Sequence, residues 1–175
     1  MRLFFASIII SILGFACNSN NVNSGGNTKV DSKLIKQAIT LAEEYTTKQL
    51  KNPKTNTSGD GVIVISDEQK AFVIYPSNIH TGLIDDDTKS DAIVSLDCFV
   101  GQYQVTGEHL FMISNHGKIR LDTEIESDMK ILNIKDGLIT AEVHTHARNS
   151  PLFNCSSCLE VVRYRYKNQE LVKTE

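Results

Sequence analysis

Three groups of side chains in this 175-residue sequence have the types and spacing for chemistry. The first is the acidic run Asp85-Asp86-Asp87-Thr88-Lys89-Ser90-Asp91. Carboxylates that alternate along a loop converge on a hard cation, as in calcium loops of the D-x-D-x-D-G type. Asp85, Asp87 and Asp91 are the candidate metal ligands. Leu83 stands where that pattern has a preceding acid, and Thr88 stands where its sharp turn has glycine. The favoured expectation is an acidic surface turn between two strands.

The second group is Cys155-Ser156-Ser157-Cys158. A redox role needs such a pair at a helix N-terminus, where the dipole lowers a thiol pKa. Here the pair precedes a strand pattern, so a disulfide between Cys155 and Cys158 is expected in an exported chain. The third group is His144-Thr145-His146, whose imidazoles share one face if the segment is a strand. With Cys155 and Cys158 across a short loop they define the alternative, a two-His, two-Cys zinc site. An oxidising compartment works against free thiolates, and ordinary strand histidines are favoured. Neither histidine has a serine or cysteine at a recognisable nucleophile motif. No catalytic residue is assigned, and no motif for a soluble cofactor is present.

The fourth cysteine is an address. Met1 and Arg2 give a short positive start, and Leu3 to Phe15 follow as a 13-residue run, mostly apolar. That length suits the core of a signal peptide and falls short of a membrane span. Leu13-Gly14-Phe15-Ala16-Cys17 resembles the lipobox of bacterial lipoproteins. The resemblance implies a diacylglyceryl thioether on Cys17, cleavage before it, and acylation of the new amine by a fatty acid such as palmitate. Gly14-Phe15-Ala16 also fits the small-x-small site of the ordinary signal peptidase, which would leave a plain secreted protein. Asn18 to Thr28 has no apolar residue but Val22, which is the composition of a flexible leash. The division expected is residues 1–16 as signal, 17–30 as lipidated cysteine and tether, and 31–175 as one domain.

The elements that must position these groups are legible from periodicity. Leu34, Ile35, Ala38, Ile39, Ala42 and Tyr45 fall on one face of a helix from Asp31 to Leu50. Asn52-Pro53 ends it, because the residue before proline leaves the helical region. Lys51 to Asp60 reads as a polar loop. Strands are expected at 62–65, 71–75, 92–96, 110–114, 118–121, 129–134, 138–144, 159–166 and 171–172. Asn115-His116-Gly117 and Lys135-Asp136-Gly137 are turn signals. The fold expected is α+β: one N-terminal amphipathic helix packed on a mainly antiparallel sheet of about eight short strands.

The order of parts from Tyr75 to Val172 resembles a family of exported bacterial β-rich domains. The carrying residues are Asp85 to Ala92, Asn133-Ile134-Lys135-Asp136-Gly137-Leu138-Ile139, Thr145-His146, the cysteine pair and Arg163-Tyr164-Arg165-Tyr166. Those domains have a D-x-D-G-D-G-x-x-D-A loop, a T-H-G-P element, a C-C pair and a closing tyrosine-containing strand. The resemblance implies export and a β-rich fold, and attaches no activity.

The formal net charge of −3 includes Arg2, so a chain cut before Cys17 carries −4. That mild acidity provides no basic stripe of the kind that tracks nucleic acid. The expected function is therefore an envelope lipoprotein, lipid-anchored to a bacterial membrane on its periplasmic or surface-facing side. Its domain is expected to bind a ligand or another envelope protein, without enzymatic chemistry. The alternative is a metal-binding or hydrolytic domain using His144, His146 and the Asp85–Asp91 loop.

Overall fold

The computed structural model describes residues 32–105, 107–146, 150–151, 155 and 157–174. The signal segment, Cys17 and the tether lie outside the described residues. The described chain is α+β, mostly antiparallel strand with one helix. Helix α1 is Ser32–Lys48, and its buried residues are Leu34, Ala38, Ala42 and Thr46, a stripe at every fourth position. Ala38 and Ala42 are small enough to let the helix lie close on the sheet beneath. The Thr46 hydroxyl is satisfied within the helix by the Ala42 carbonyl at 2.9 Å. Lys48 in the last turn complements the negative end of the helix dipole.

Eleven strands follow in two sheets, where the sequence led us to expect about eight in one sheet. The larger sheet contains β1 (Lys54–Thr57), β2 (Ile63–Ser66), β3 (Lys70–Gly82), β4 (Asp91–Val100), β5 (Tyr103–Gln104), β6 (Glu108–Asn115) and β7 (Lys118–Glu126). Its order is β1-β2-β3-β4-β6-β7, with β5 paired to β4. The smaller sheet contains β8 (Lys130–Lys135), β9 (Leu138–His144), β10 (Leu159–Lys167) and β11 (Glu170–Lys173), ordered β11-β10-β9-β8.

Two corrections concern boundaries. The segment expected as a polar loop contains β1, whose four residues Lys-Thr-Asn-Thr are all exposed. An edge strand with no buried face carries no alternation to read, and its lysine and polar side chains discourage further pairing. Strand β3 also runs past Tyr75, through Pro76, to Gly82. The register shifts between Ile74 and Ile79, so the proline sits at an irregularity where the ladder needs no N–H from it.

Helix α1 covers one face of the larger sheet and the smaller sheet covers the other, which makes three layers. On β4, Ala92, Val94, Leu96 and Cys98 pack toward the helix, whereas Ile93 packs toward the smaller sheet. On β6, Leu110 and Met112 face the helix, whereas Phe111 and Ile113 face the smaller sheet. Burial on both sides explains why these central strands read as nearly continuous apolar runs. Phe111 stacks on Tyr166 of β10, with ring centroids 4.9 Å apart. Gly82 permits a close approach of the layers: a Cβ there would lie 2.7 Å from Ile134 Cγ2 of β8. Three hairpins, at His116-Gly117, Asp136-Gly137 and Asn168-Gln169, have both central residues at positive φ, the primed turn that matches strand twist.

Candidate functional site

The face of the larger sheet that meets the smaller one changes character along its length. Inward positions on β4 read Ile93, Ser95, Asp97, and those on β6 read Ile113, Phe111, His109. The Ile93 end is packed with apolar side chains of the smaller sheet. The Ser95 end brings polar side chains to a cleft of about 430 Å³ between the two sheets, which Leu96, Ile131 and Leu132 also line. Asn78 and His80 of β3, Gln104 of β5, the Ser127–Met129 connection, Lys130 of β8 and His144 of β9 add to its polar lining. Three imidazoles from three strands thus meet one cleft.

His109 is the most buried of them, with 3% of its surface exposed. It stands directly opposite Ser95 in the β4–β6 ladder, and Ser95 Oγ lies 2.9 Å from its Nδ1. Its Nε2 is also buried and makes no well-aligned hydrogen bond among the described residues. Burial drives the ring pKa down to about 4; the Ser127 and Met129 carbonyls and the Asp128 charge oppose this, and His80 adds to it. Those carbonyls act through proximity, since neither makes a well-aligned bond to Nε2. The imidazole is therefore neutral at neutral pH. One ring nitrogen is held by Ser95, and the other, beside the cleft, makes no well-aligned hydrogen bond among the described residues, with the Ser127 and Met129 carbonyls near the ring.

His80 is also shifted down by burial, with the Ile131 carbonyl opposing. Asp97 is pushed up by burial and held back by hydrogen bonds from Tyr75 and Gln104. A serine beside a histidine is the beginning of a nucleophile–base pair. A base with a pKa near 4 is poorly matched to neutral pH, however, and catalytic dyads need a third group to orient the ring. Among the described residues, no carboxylate holds the second nitrogen. The geometry therefore has the character of a cross-strand hydrogen bond.

The residues singled out from sequence lie elsewhere, His144 excepted. Asp91 is fully buried, and both its oxygens are occupied by backbone amides. Oδ1 accepts from Ser114 N at 2.8 Å, while Oδ2 accepts from Ile84 N at 2.9 Å and Asp85 N at 3.5 Å. Burial raises its pKa, and those amide hydrogen bonds oppose the rise. Asp91 thus clamps the 83–90 loop to β6. Asp85 Oδ1 accepts from Asp87 N at 3.0 Å and Asp87 Oδ1 from Lys89 N at 2.6 Å, two successive side-chain-to-backbone turns. Among the described residues, no three His, Cys, Asp or Glu side chains form a group that could hold a metal ion.

Cys155 and Cys158 form a disulfide with Cα atoms 5.2 Å apart. The Cys158 carbonyl accepts from Thr145 N at 2.9 Å and from Thr145 Oγ1 at 3.1 Å, which pins the loop between β9 and β10. With the sulfurs joined to each other, a two-His, two-Cys site has no thiolates. Strand β9 ends at His144, so the alternation that would place His144 and His146 on one face stops before His146. Cys98 is free and buried on the helix-facing side of β4. Burial pushes its thiol pKa up, as in an inert core cysteine.

The cleft residues Ser95, Asp97 and His109 were missed at the sequence level. Their signal is the interruption of the apolar run Ala-Ile-Val-Ser-Leu-Asp-Cys by two polar residues, and a histidine at the head of Leu-Phe-Met-Ile. Among the described residues, no helix is long and apolar enough to cross a membrane. Set against family models, curated proteins and solved structures, the chain matches none of them.

Proposed function

We propose that this chain is a bacterial envelope lipoprotein, anchored through Cys17, whose domain binds a small polar ligand between its two sheets without transforming it. The anchor is supported by the resemblance of Leu13 to Cys17 to a lipobox and by the polar leash behind it. The observation that carries the binding function is His109: a nearly fully buried imidazole whose Nε2 makes no well-aligned hydrogen bond among the described residues, at a cleft lined by both polar and apolar side chains. Leaving such a group unsatisfied costs about 1–3 kcal/mol, which a ligand hydrogen bond would recover.

The lining also indicates the ligand's chemistry. Asp97 and Asp128 face one cationic side chain, Lys130, so the cleft disfavours anions. Asn78, Ser95, Gln104, Ser127 and the imidazoles supply both donors and acceptors. A neutral molecule rich in hydroxyl or amide groups fits this set. The volume lies in the range of small-molecule sites, about 300–1,000 Å³.

Native mass spectrometry tests the proposal. The protein is incubated with the small-molecule fraction of a bacterial envelope extract and compared with His109→Phe, which keeps a ring but removes both nitrogens. A bound mass on the wild-type chain that His109→Phe loses is expected. A bound mass retained by the variant, or none on the wild type, overturns the proposal.

A further inference from the structure

The acidic balance of the chain is not spread evenly. Four exposed lysines from three separate segments converge at one end of the domain. Lys33 and Lys36 come from the first turns of α1, Lys89 from the β3–β4 loop and Lys118 from the start of β7. They line two adjoining shallow hollows that share Lys33, Gln37 and Ile119, and among the described residues neither hollow has an acidic side chain in its lining. Of the acids on the loop that carries Lys89, Asp85 and Asp86 line a different hollow beside Arg120 and Lys167, and the Asp87 carboxylate accepts from Lys89 N at 2.6 Å.

A second, independent observation is where this end sits in the chain. Helix α1 begins at Ser32, so the tether from Cys17 enters the domain beside Lys33. The sequence from Cys17 to Ser32 is short, and random-coil scaling for a segment of that length gives a reach on the order of 20 Å. If Cys17 carries the lipid, as proposed above, this end is held next to the bilayer. We infer that it is a docking face for an anionic lipid surface, with Lys33, Lys36, Lys89 and Lys118 seated among the headgroups. The attraction acts within a Debye length, about 8–10 Å near physiological salt, which the tether length allows. The inter-sheet cleft involves the opposite halves of β4 and β6, around Leu96 and His109, and stays clear of the membrane-facing end.

The test uses the full lipid-bearing chain in vesicles of phosphatidylcholine alone and of phosphatidylcholine mixed with phosphatidylglycerol. Each sample is treated with an amine-reactive reagent at low salt and read by peptide mass spectrometry. Lys33, Lys36, Lys89 and Lys118 are expected to react about fivefold or more slowly in the anionic vesicles. High salt should restore their reactivity, while Lys48 and Lys54, at the other end of α1 and on β1, stay unchanged. The exposed double variant Lys36→Glu/Lys118→Glu should restore Lys89 reactivity without altering the circular dichroism spectrum. Equal reactivity in both vesicles, on a chain whose intact mass shows acyl groups, overturns the docking face and leaves the anchor standing. Protection that is also present in neutral vesicles points to a protein contact and overturns it as well. A chain without acyl mass removes the anchor and the docking face together.

Discussion

Ser95 and His109 face each other across the β4–β6 ladder, with Oγ and Nδ1 2.9 Å apart, at the boundary between a packed inter-sheet core and an open cleft. On one side of this pair lie Ile93 and Phe111, both fully buried; on the other lie Asp97 and Gln104. The pair ends the hydrophobic contact of the two sheets and begins a polar site.

Ser95 is expected to be unreactive, because its neighbour is a weak base and no carboxylate completes a triad. A fluorophosphonate probe should leave Ser95 unmodified at neutral pH. Ser95→Ala should cost about 1 kcal/mol of stability by removing the bond to Nδ1. Stoichiometric phosphonylation of Ser95, seen by peptide mass spectrometry, would revive a hydrolase.

The folded protein should lose stability as pH falls from about 6.5 to about 4. The pKa of His109 drops from an ordinary 6.5 to about 4 on burial, so the unfolded chain binds its proton first. The stabilisation is fully present above the unfolded value and is lost through the folded one. Its size is on the order of 3 kcal/mol, and His80 acts in the same direction. Asp91 and Asp97, raised by burial, act oppositely: their effect on stability falls as pH rises through the carboxylate range. Comparing wild type with His109→Phe in urea titrations at several pH values isolates the histidine. The variant should show a clearly shallower slope between pH 4 and 6.5, and identical slopes would show that His109 is not buried neutral.

Asp91→Asn should destabilise the domain by about 2 kcal/mol, because an amide has one acceptor oxygen and Asp91 receives backbone N–H groups on both oxygens. The urea midpoint should fall with an unchanged m-value. Millimolar calcium should leave the wild-type melting temperature unmoved, since the carboxylates of Asp85, Asp87 and Asp91 are engaged with loop and strand amides. A calcium-dependent rise of several degrees would return the loop to cation binding.

Alkylation of unreduced protein should leave Cys155 and Cys158 unlabelled, and should label Cys98 only after unfolding. The closed loop is short, so the double Ser variant should fold and lose less than about 2 kcal/mol. Labelling of both thiols in the native protein would contradict the disulfide.

Much of the architecture was legible because burial writes periodicity. The α1 stripe and the apolar runs of β4 and β6 have buried faces to report. Strand β1 has none, and its Lys-Thr-Asn-Thr sequence looks like a loop. The division into two sheets was hidden because antiparallel strands joined by tight turns read alike whether the ladder continues or folds over. The cleft was hidden for a different reason: Ser95 and His109 become partners only through strand register, and a lone polar residue in an apolar run carries no spacing rule. The acidic run was conspicuous, but its most buried member, Asp91, is occupied by amides that only the register of β4 with β6 brings near.

The central claim is that the cleft holds a ligand through His109. The most direct measurement is a crystal structure of the protein purified from its native envelope, with the mass of any bound molecule determined on the same sample. The account predicts a non-protein molecule between the sheets, with an oxygen or nitrogen within hydrogen-bond distance of His109 Nε2. A bound molecule seated elsewhere, or Nε2 satisfied by a protein group that closes the cleft, would contradict it.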